Sequence, residues 1–272
     1  MNTGEALRAA ARRLAGVTDA PAFEARLLME RLTGRSRFFP ADADSELPPE
    51  KLAELCSLLE RRLSYEPLQY ILGEWSFMGL DFTVNEYALI PRQDTETLAE
   101  AALDIAAKEG FNTALDICTG TGCVAVALKK LGSFDTVAAS DISYECAALA
   151  AINAERNGVE IDISVRDLLK GHGRYDIITA NPPYISDGDM ELLQEEVKRE
   201  PRLALAGGED GLSFYRRIAE DWRGHINPGG VLLMEVGAGQ ADEVAAMFSG
   251  FETRKIADLC GIERVVTVKN AK

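Results

Sequence analysis

Histidine and paired cysteines are scarce in this sequence. The two histidines, His172 and His225, lie far apart without neighbouring cysteines, and the five cysteines include no Cys-x-x-Cys pair. Structural zinc sites need such ligands at close spacing, so we expect no metal ion in this protein. An odd number of cysteines without paired spacing, in a chain of 272 residues, also indicates reduced thiols rather than a disulfide framework.

Long apolar segments are missing as well. The sequence contains no run of about 18 apolar residues, the length typical of a membrane span. The N-terminal sequence MNTGEALRAAARRL has mixed charge, whereas a signal peptide has a basic region followed by an apolar one. We therefore expect a cytoplasmic protein without a membrane partner.

Basic residues are too few to balance the acidic ones. The chain has 29 Lys and Arg against 44 Asp and Glu, which gives a formal net charge of -15. Binding to a nucleic acid depends on basic surface that neutralises phosphates. The charge balance therefore disfavours a nucleic acid as a direct partner.

The hydrophobic pattern divides the chain into three regions. Residues 1–72 predict a small helical domain, with a capping box at Asn2 and Glu5 and further helices over 22–32 and 49–63. Residues 73–90 contain GEWSFMGLDFTV, whose two aromatic and β-branched runs predict a β-hairpin linker. Residues 91–272 alternate helices and strands and predict the larger domain.

The larger domain is predicted to be α/β, with a doubly wound and mainly parallel sheet. Ligand sites of such sheets lie at the carboxyl ends of the strands. The predicted strands cover residues 113–117, 136–140, 161–165, 175–180, 231–236, 251–256 and 264–268, and the predicted helices cover 95–109, 124–131, 144–157, 212–222 and 241–248.

A glycine-bearing loop, DICTGTGC over residues 116–123, follows the first predicted strand of this sheet. Such a turn lets the backbone approach a ligand, and the helix after it offers free amides. The next strand ends at Asp141, nineteen residues beyond Gly122, where a carboxylate can bind both hydroxyls of a ribose. The loop fits the DxGxGxG form typical of methyltransferases better than a GxGxxG fingerprint, with Cys118 at the first glycine position. By itself it also fits a structural turn.

The strongest motif is NPPYI, residues 181–185, directly after a predicted strand. Two prolines give a stiff turn whose carbonyl groups are free to accept hydrogen bonds. The Asn181 side-chain oxygen and the Pro182 carbonyl can each accept one N–H of a substrate amide, and Tyr184 can pack against its plane. Two such acceptors would hold a weakly nucleophilic amide nitrogen in line with a sulfonium methyl group and favour charge developing on it.

Most of the chain resembles the protein glutamine methyltransferases that modify peptide chain release factors. The resemblance runs from EARLLMERLTG through EPLQYILGE, the glycine loop, NPPYI and EPRLALAGGEDGL to DLCGIERVV. It implies a Rossmann-like class I methyltransferase sheet that binds S-adenosylmethionine, and a helical N-terminal domain that recognises a class-1 release factor. It also implies methylation of the glutamine in the Gly-Gly-Gln loop of that factor.

The resemblance implies roles for individual residues. Residues 118–122 would hold the methionine part of the cofactor, Asp141 the ribose, and Asp167 with Leu168 the adenine, while Asn181 would face both cofactor and substrate. The expected cofactor-binding residues are Asp116, Cys118, Thr119, Gly120, Thr121, Gly122, Asp141, Asp167, Leu168 and Asn181, and the expected catalytic residues are Asn181, Pro182, Pro183 and Tyr184.

Two segments depart from the family pattern. Leu168 stands at a position that is often aromatic in the family, which weakens the case for adenine stacking by this residue. The segment PRQDTE, residues 91–96, replaces the usual PRPETE. We assign its Pro91, Arg92 and Glu96 no catalytic part.

Other functions remain open on the sequence alone. A related family methylates a glutamine of a large-subunit ribosomal protein and shares both the CTGxGC loop and NPPY. NPPY also serves nucleic-acid adenine amino methyltransferases, and a non-catalytic S-adenosylmethionine-binding module would need only the loop. Cys118 as a nucleophile is a further alternative, although no histidine lies near it in the sequence.

Three surface features have two interpretations each. The acidic stretch over residues 187–196 could guide a basic substrate, but we expect a solvated helix face. Trp75, Phe77 and Phe82 could line an interface, although such aromatic residues more often pack in a core. Phe38 and Phe39, followed by Pro40 in a polar loop, are expected to contact a protein partner.

Overall fold

The computed structural model describes residues 1–34 and 44–271 of the chain. The aromatic pair Phe38 and Phe39 lies outside these residues. The chain forms two compact units, of which the first comprises Met1–Glu74 together with Gln194–Arg199, and the second comprises Trp75–Leu193 together with Glu200–Lys272. Among the described residues, no helix combines the length and the apolar composition that crossing a membrane requires.

The first unit is helical, as the sequence predicts. The capping box is present, because the Glu5 amide donates to Asn2 Oδ1 at 2.7 Å and the Asn2 amide donates to Glu5 Oε2 at 3.0 Å. Leucine side chains from all the helices share one core, which includes Leu14, Leu28 and Leu59. The helices are α1 (Thr3–Leu14), α2 (Pro21–Thr33), α3 (Pro49–Leu63) and the short α4 (Leu68–Leu72), which the sequence analysis missed.

A buried ion pair joins α2 to α3 inside this unit. The guanidinium of Arg62 donates to the two carboxylate oxygens of Glu24 at 2.7 and 3.1 Å, and it also pairs with Glu196 at 2.6 Å. Burial lowers the pKa of Arg62, but its two acidic partners outweigh that effect and raise it overall. Because a buried charge is costly without a partner, the Gln194–Arg199 segment contributes to the stability of the first unit.

The predicted hairpin is confirmed; of its three aromatic residues, Phe77 and Phe82 are core residues and Trp75 is partly buried. Strands β1 (Glu74–Phe77) and β2 (Leu80–Thr83) form a two-stranded sheet. Met78 and Gly79 between them have φ angles of 50° and 74°, the left-handed pair that a tight two-residue hairpin turn requires. The rings of Phe77 and Phe82 are buried and meet edge to face at 6.1 Å.

The second unit contains the seven-stranded α/β sheet that the sequence predicts. Its strand order is β5-β4-β3-β6-β7-β9-β8, in which the first five strands run parallel, β9 pairs antiparallel with β7, and β8 pairs antiparallel with β9. The strands are β3 (Thr113–Ile117), β4 (Thr136–Asp141), β5 (Asp162–Val165), β6 (Tyr175–Ala180), β7 (Ile226–Glu235), β8 (Glu252–Ala257) and β9 (Glu263–Lys269).

Helices cover both faces of this sheet. Alternate strand residues contribute to two separate apolar clusters, as the period of a strand requires: Ile177 joins the cluster with α5 and α6, and Ile178 joins the cluster with α9 and α10. The helices are α5 (Gln93–Glu109), α6 (Cys123–Leu131), α7 (Tyr144–Arg156), α8 (Arg202–Leu205), α9 (Ser213–Asp221) and α10 (Ala241–Ala246).

The acidic stretch after NPPYI differs from its prediction. In place of a solvated helix face, the structure has one short 3-10 turn at Asp189–Leu192 and another at Val197–Arg199. The hydroxyl of Ser186 accepts from the amide of Asp189, the first residue of the first turn, at 3.2 Å. The acidic pattern predicted a helix, but Asp187 and Asp189 are as typical of turns as of an exposed helix surface. The pattern therefore could not distinguish a turn from a helix.

Candidate active site

The strand order of the second unit reverses between β3 and β6, and a cavity of about 250 Å³ lies where the loops after β3, β4, β5 and β6 converge. This is the switch point at which open α/β sheets bind ligands. The predicted site residues that line the cavity are Asp116, Cys118, Thr119, Gly120, Thr121, Asp141, Asp167, Leu168, Asn181 and Pro183. The structure thus brings ten of the predicted residues to one place.

The loop after β3 is held in a left-handed conformation at alternate positions. Cys118, Gly120 and Gly122 have φ angles of 57°, 53° and 79°. Glycine adopts such angles freely, whereas a residue with a side chain is strained there. The angle at Cys118 therefore explains why the DxGxGxG form has a glycine at this position.

Cys118 is poorly suited to act as a nucleophile. Burial, followed by the charges of Asp141 and Asp116, raises the pKa of its thiol well above the ordinary value. Reactive cysteines need the thiolate form and hence a lowered pKa. The side chain instead packs against the apolar cluster below α9 and α10.

Gly122 contributes to helix packing rather than to the cavity wall. It caps the N-terminus of α6, and a Cβ atom at this position would lie 2.9 Å from the Cβ and 3.0 Å from the Cα of Ala150 in α7. Gly122 is not among the residues that line the cavity. Its place in the cofactor site stays a prediction.

Two carboxylates fix the shape of the loop. Asp116 is buried and accepts hydrogen bonds from the hydroxyls of Thr119 at 2.6 Å and Thr179 at 2.7 Å, and burial raises its pKa to about 6. Asp141, at the end of β4, accepts from the amide of Gly120 at 2.9 Å and from that of Ser143 at 3.0 Å. Asp141 also lines the cavity, and a carboxylate has about four acceptor sites, so it keeps capacity to accept from a ligand hydroxyl.

Asp167 and Leu168 lie at the end of the cavity formed by the loop after β5 and by α9. The Asp167 carboxylate accepts from Arg217 at 2.6 and 2.7 Å and from Lys170 at 2.7 Å, and hydrogen bonds from these cations lower its pKa. Leu168 is mostly buried and has a φ angle of 52°. Phe214 of α9 lines the same cavity, so an aromatic ring is present near the position where Leu168 lacks one.

NPPY begins directly where β6 ends, and only part of it reaches the cavity. Asn181 and Pro183 line the cavity, and the Asn181 Nδ2 atom donates to the Thr95 hydroxyl at 3.2 Å. Pro182 is buried, and Tyr184 is half-buried with its backbone oxygen accepting from Gln240 at 3.0 Å. Neither Pro182 nor Tyr184 lines the cavity, so their contact with a substrate stays a prediction.

The PRQDTE segment forms part of the cavity wall. Pro91, Arg92 and Thr95 line the cavity. The carboxylate of Glu200 fixes the segment, because it pairs with the Arg92 guanidinium and accepts from the amide of Ile90 at 3.1 Å. Glu96 lies elsewhere, accepting from the amide of Met78 in the hairpin turn at 2.6 Å.

Sequence reasoning missed several residues of the site. Phe214 and Arg217 come from α9, which is distant in sequence from the two motifs, and no local pattern marks them. Thr95 belongs to the PRQDTE segment, within which the sequence analysis did not single it out. The EPRLALAGGEDGL segment was the available signal, since Pro201, Leu203 and Ala204 also line the cavity.

Two protein-family models and several curated proteins match this chain. Residues 5–73 match the model of the PrmC N-terminal domain, and residues 95–234 match that of the methyltransferase small domain. The chain is 47% identical over 229 residues to the release factor glutamine methyltransferase of Geobacter sulfurreducens, covering 82% of this chain and 80% of that protein. It is 38% identical over 278 residues to the enzyme of the same name from Cereibacter sphaeroides, covering 99% of each.

Solved structures share the fold at lower identity. A methyltransferase from Pyrococcus furiosus superposes with a TM-score of 0.52 at 18% identity, covering 81% of this chain and 98% of that one. This likeness supports the class I methyltransferase sheet. Two matching domain models and near-complete alignment with curated relatives lead to one assignment: the chain belongs to the release factor glutamine methyltransferase family.

Proposed function

We propose that this protein transfers the methyl group of S-adenosylmethionine to the side-chain amide nitrogen of the glutamine in the Gly-Gly-Gln motif of class-1 peptide chain release factors. One observation carries the proposal. Asn181, an amide side chain able to accept an N–H, shares a single cavity with Asp141 and the glycine loop. A substrate amide bound at Asn181 would therefore lie close to a cofactor bound at the loop.

The residues of the cavity fit S-adenosylmethionine. Among the described residues, no atom outside Gly120 and its two chain neighbours lies within 4 Å of the place where a Cβ of Gly120 would be, so the loop would have open space for the methionine part of the cofactor along residues 118–122. Asp141 is oriented by two backbone amides and would accept the ribose hydroxyls. Asp167 and Leu168 would flank the adenine, with the ring of Phe214 nearby. When bound, S-adenosylmethionine supplies a methyl group on a positively charged sulfur, which is already activated for transfer.

Because the methyl group is already activated, the residues of the site would mainly have to position the substrate amide. An amide nitrogen is a weak nucleophile because its lone pair is delocalised into the carbonyl group. Asn181 Oδ1 and the Pro182 carbonyl would accept its two hydrogens, which holds the nitrogen in line and favours the positive charge that develops on it. The apolar residues of the wall, including Ile142 and Pro183, would keep water from the reacting atoms.

The helical first unit would recognise the release factor. Residues 5–73 match the model of the PrmC N-terminal domain, which is separate from the methyltransferase model that matches residues 95–234. A dedicated domain of this kind suits a folded protein substrate, because it adds binding energy at a distance from the reacting glutamine. We expect no direct nucleic-acid partner, in line with the formal net charge of -15.

The test is to incubate the purified chain with S-adenosylmethionine and either an unmethylated release factor or bulk ribosomal protein, and to locate added methyl groups by peptide mass spectrometry. We expect one methyl group on the glutamine of Gly-Gly-Gln. Asn112→Ala, an exposed asparagine at the start of β3, is the matched control for Asn181→Ala and should retain activity. A mark confined to ribosomal protein, or no mark at all, would contradict the proposal.

A further inference from the structure

Glu235 is a buried carboxyl group next to the site that the proposed reaction does not use. It ends β7, its side chain is 2% exposed, and its Oε2 atom has no hydrogen-bond partner among residues 1–34 and 44–271. A buried, incompletely satisfied carboxyl group is costly to keep. Such a group is expected to persist where its function depends on it.

The immediate neighbours of Glu235 are the residues that hold Asn181. Thr95, which accepts from Asn181 Nδ2 at 3.2 Å, interacts with the Glu235 carboxyl group, and so does Asn181 itself. Thr95 is buried and lines the cavity. The three side chains therefore form one cluster that joins β7, α5 and the end of β6.

The orientation of the Asn181 amide is the property that this cluster can control. An asparagine side chain has an oxygen that accepts and a nitrogen that only donates, and the two can exchange places by rotation of the amide. Only the orientation with Oδ1 towards the cavity can accept an N–H from a substrate glutamine. Acceptors on the opposite side of Asn181 stabilise that orientation, because they take up the hydrogens of Nδ2.

Thr95 cannot fulfil this role alone. A hydroxyl that accepts from Asn181 must direct its own hydrogen elsewhere, and the neighbouring Glu235 carboxylate is an acceptor when it is ionised. We propose that Glu235 is a positioning residue, which together with Thr95 binds the amide nitrogen of Asn181 and thereby holds the Asn181 oxygen towards the substrate glutamine. This inference rests on the proposed function of the site.

The charge of Glu235 should then affect the reaction. Burial raises its pKa to about 7, Asp94 of α5 adds to the rise, and Arg264 of β9 opposes it, as do the bonds from Thr95 and Asn181. The charge of Glu235 in turn contributes to the raised pKa values of Tyr184, Tyr215 and Cys123, the other titratable groups near it. Protonated Glu235 carries a hydrogen of its own and competes with Asn181 for the Thr95 oxygen. Methyl transfer should therefore decrease as the pH falls through about 7.

The kinetic test uses Glu235→Gln, Thr95→Val and Thr95→Ser in the full chain, with an unmethylated release factor and S-adenosylmethionine. For the first two variants we expect kcat to fall about tenfold, the equivalent of one hydrogen bond, with unchanged calorimetric affinity for the cofactor. Glu235→Gln should also lose the decrease of kcat near pH 7, whereas Thr95→Ser, which keeps the hydroxyl, should retain most of the activity. Glu252→Gln, an exposed glutamate of β8, is the control for loss of one negative charge.

A second readout is independent of turnover. The side-chain amide protons of Asn181, assigned in the NMR spectrum by their loss in Asn181→Asp, should exchange with solvent faster in Glu235→Gln than in Glu252→Gln. Unchanged exchange together with a wild-type pH profile would overturn the inference, and so would a loss of cofactor affinity equal to the loss of kcat. A wild-type chain that fails to methylate the release factor, yet shows protected Asn181 protons that depend on Glu235, would contradict the proposed function and leave the positioning role intact.

Discussion

The buried Glu235 also makes a prediction about stability, which Glu235→Gln isolates. The pKa of this carboxyl group rises from its ordinary value of 4.5 to about 7 because burial disfavours the charged form. The folded protein therefore binds more protons than the unfolded chain between these two values, and its stability falls as the pH rises through them. At about 1.4 kcal/mol for each pH unit, the loss amounts to about 3 kcal/mol.

Glutamine does not titrate, so the variant avoids this loss. Its hydrogen bonds change as well, but that contribution is the same at every pH. We expect the free energy of unfolding of Glu235→Gln, relative to wild type, to shift by about 3 kcal/mol in favour of the variant between about pH 4.5 and about pH 8.5. Asp116, whose pKa is also raised by burial, to about 6, is present in both proteins and cancels.

Urea denaturation followed by tryptophan fluorescence measures this difference. Both tryptophans, Trp75 and Trp222, belong to the second unit, so the signal reports on the unit that contains Glu235. Glu252→Gln, at an exposed glutamate of β8, is the control for replacing one carboxyl group by an amide. A pH-independent difference for Glu235→Gln would refute the reasoning, because it would mean that Glu235 ionises alike in the folded and unfolded chains.

Three further predictions concern single residues. Asn181→Ala should reduce methyl transfer about a hundredfold or more, the effect of removing a positioned acceptor, while its urea midpoint stays near wild type; a variant with full activity would contradict the proposed role. Asp141→Ala should weaken S-adenosylmethionine binding about tenfold to a hundredfold, since hydrogen bonds to a charged group are lost. An affinity equal to wild type, measured by isothermal titration calorimetry, would contradict this role. Arg62→Ala should lower the free energy of unfolding of the first unit by about 3 to 5 kcal/mol, because Glu24 stays buried without its partner. The neighbouring Arg61→Ala removes a partly exposed ion pair with Glu66 and should cost under about 1 kcal/mol, so equal losses for the two variants would count against the buried pair.

The elements of the second unit could be predicted from the sequence because their signals are local. The strands Thr113–Ile117 and Tyr175–Ala180 are observed with the predicted boundaries, since each is a short, mainly apolar run followed by a glycine or proline motif. The two motifs also gave the position of the cavity, because the carboxyl ends of neighbouring parallel strands meet at one edge of a sheet.

The remaining features depend on contacts between residues far apart in the chain. Glu235 ends an apolar strand, and nothing next to it indicates that Thr95 and Asn181 surround its side chain. The pairing of Arg62 with Glu24 joins two helices across 38 residues. Gly122 could be recognised as part of a loop, whereas its close approach to Ala150 requires the packing of α6 on α7.

The first unit consists of two separate segments of the chain, Met1–Glu74 and Gln194–Arg199. A single cut in the chain therefore cannot separate this unit intact. A fragment that ends at Glu74 would keep the pair of Arg62 with Glu24 but would lose the carboxylate of Glu196 and the hydrogen bond from Arg199 to the Ser64 carbonyl oxygen, which measures 3.0 Å. Any chimera that exchanges the first unit between relatives should therefore transplant residues 194–199 along with residues 1–74, so that Arg62 keeps both of its carboxylate partners.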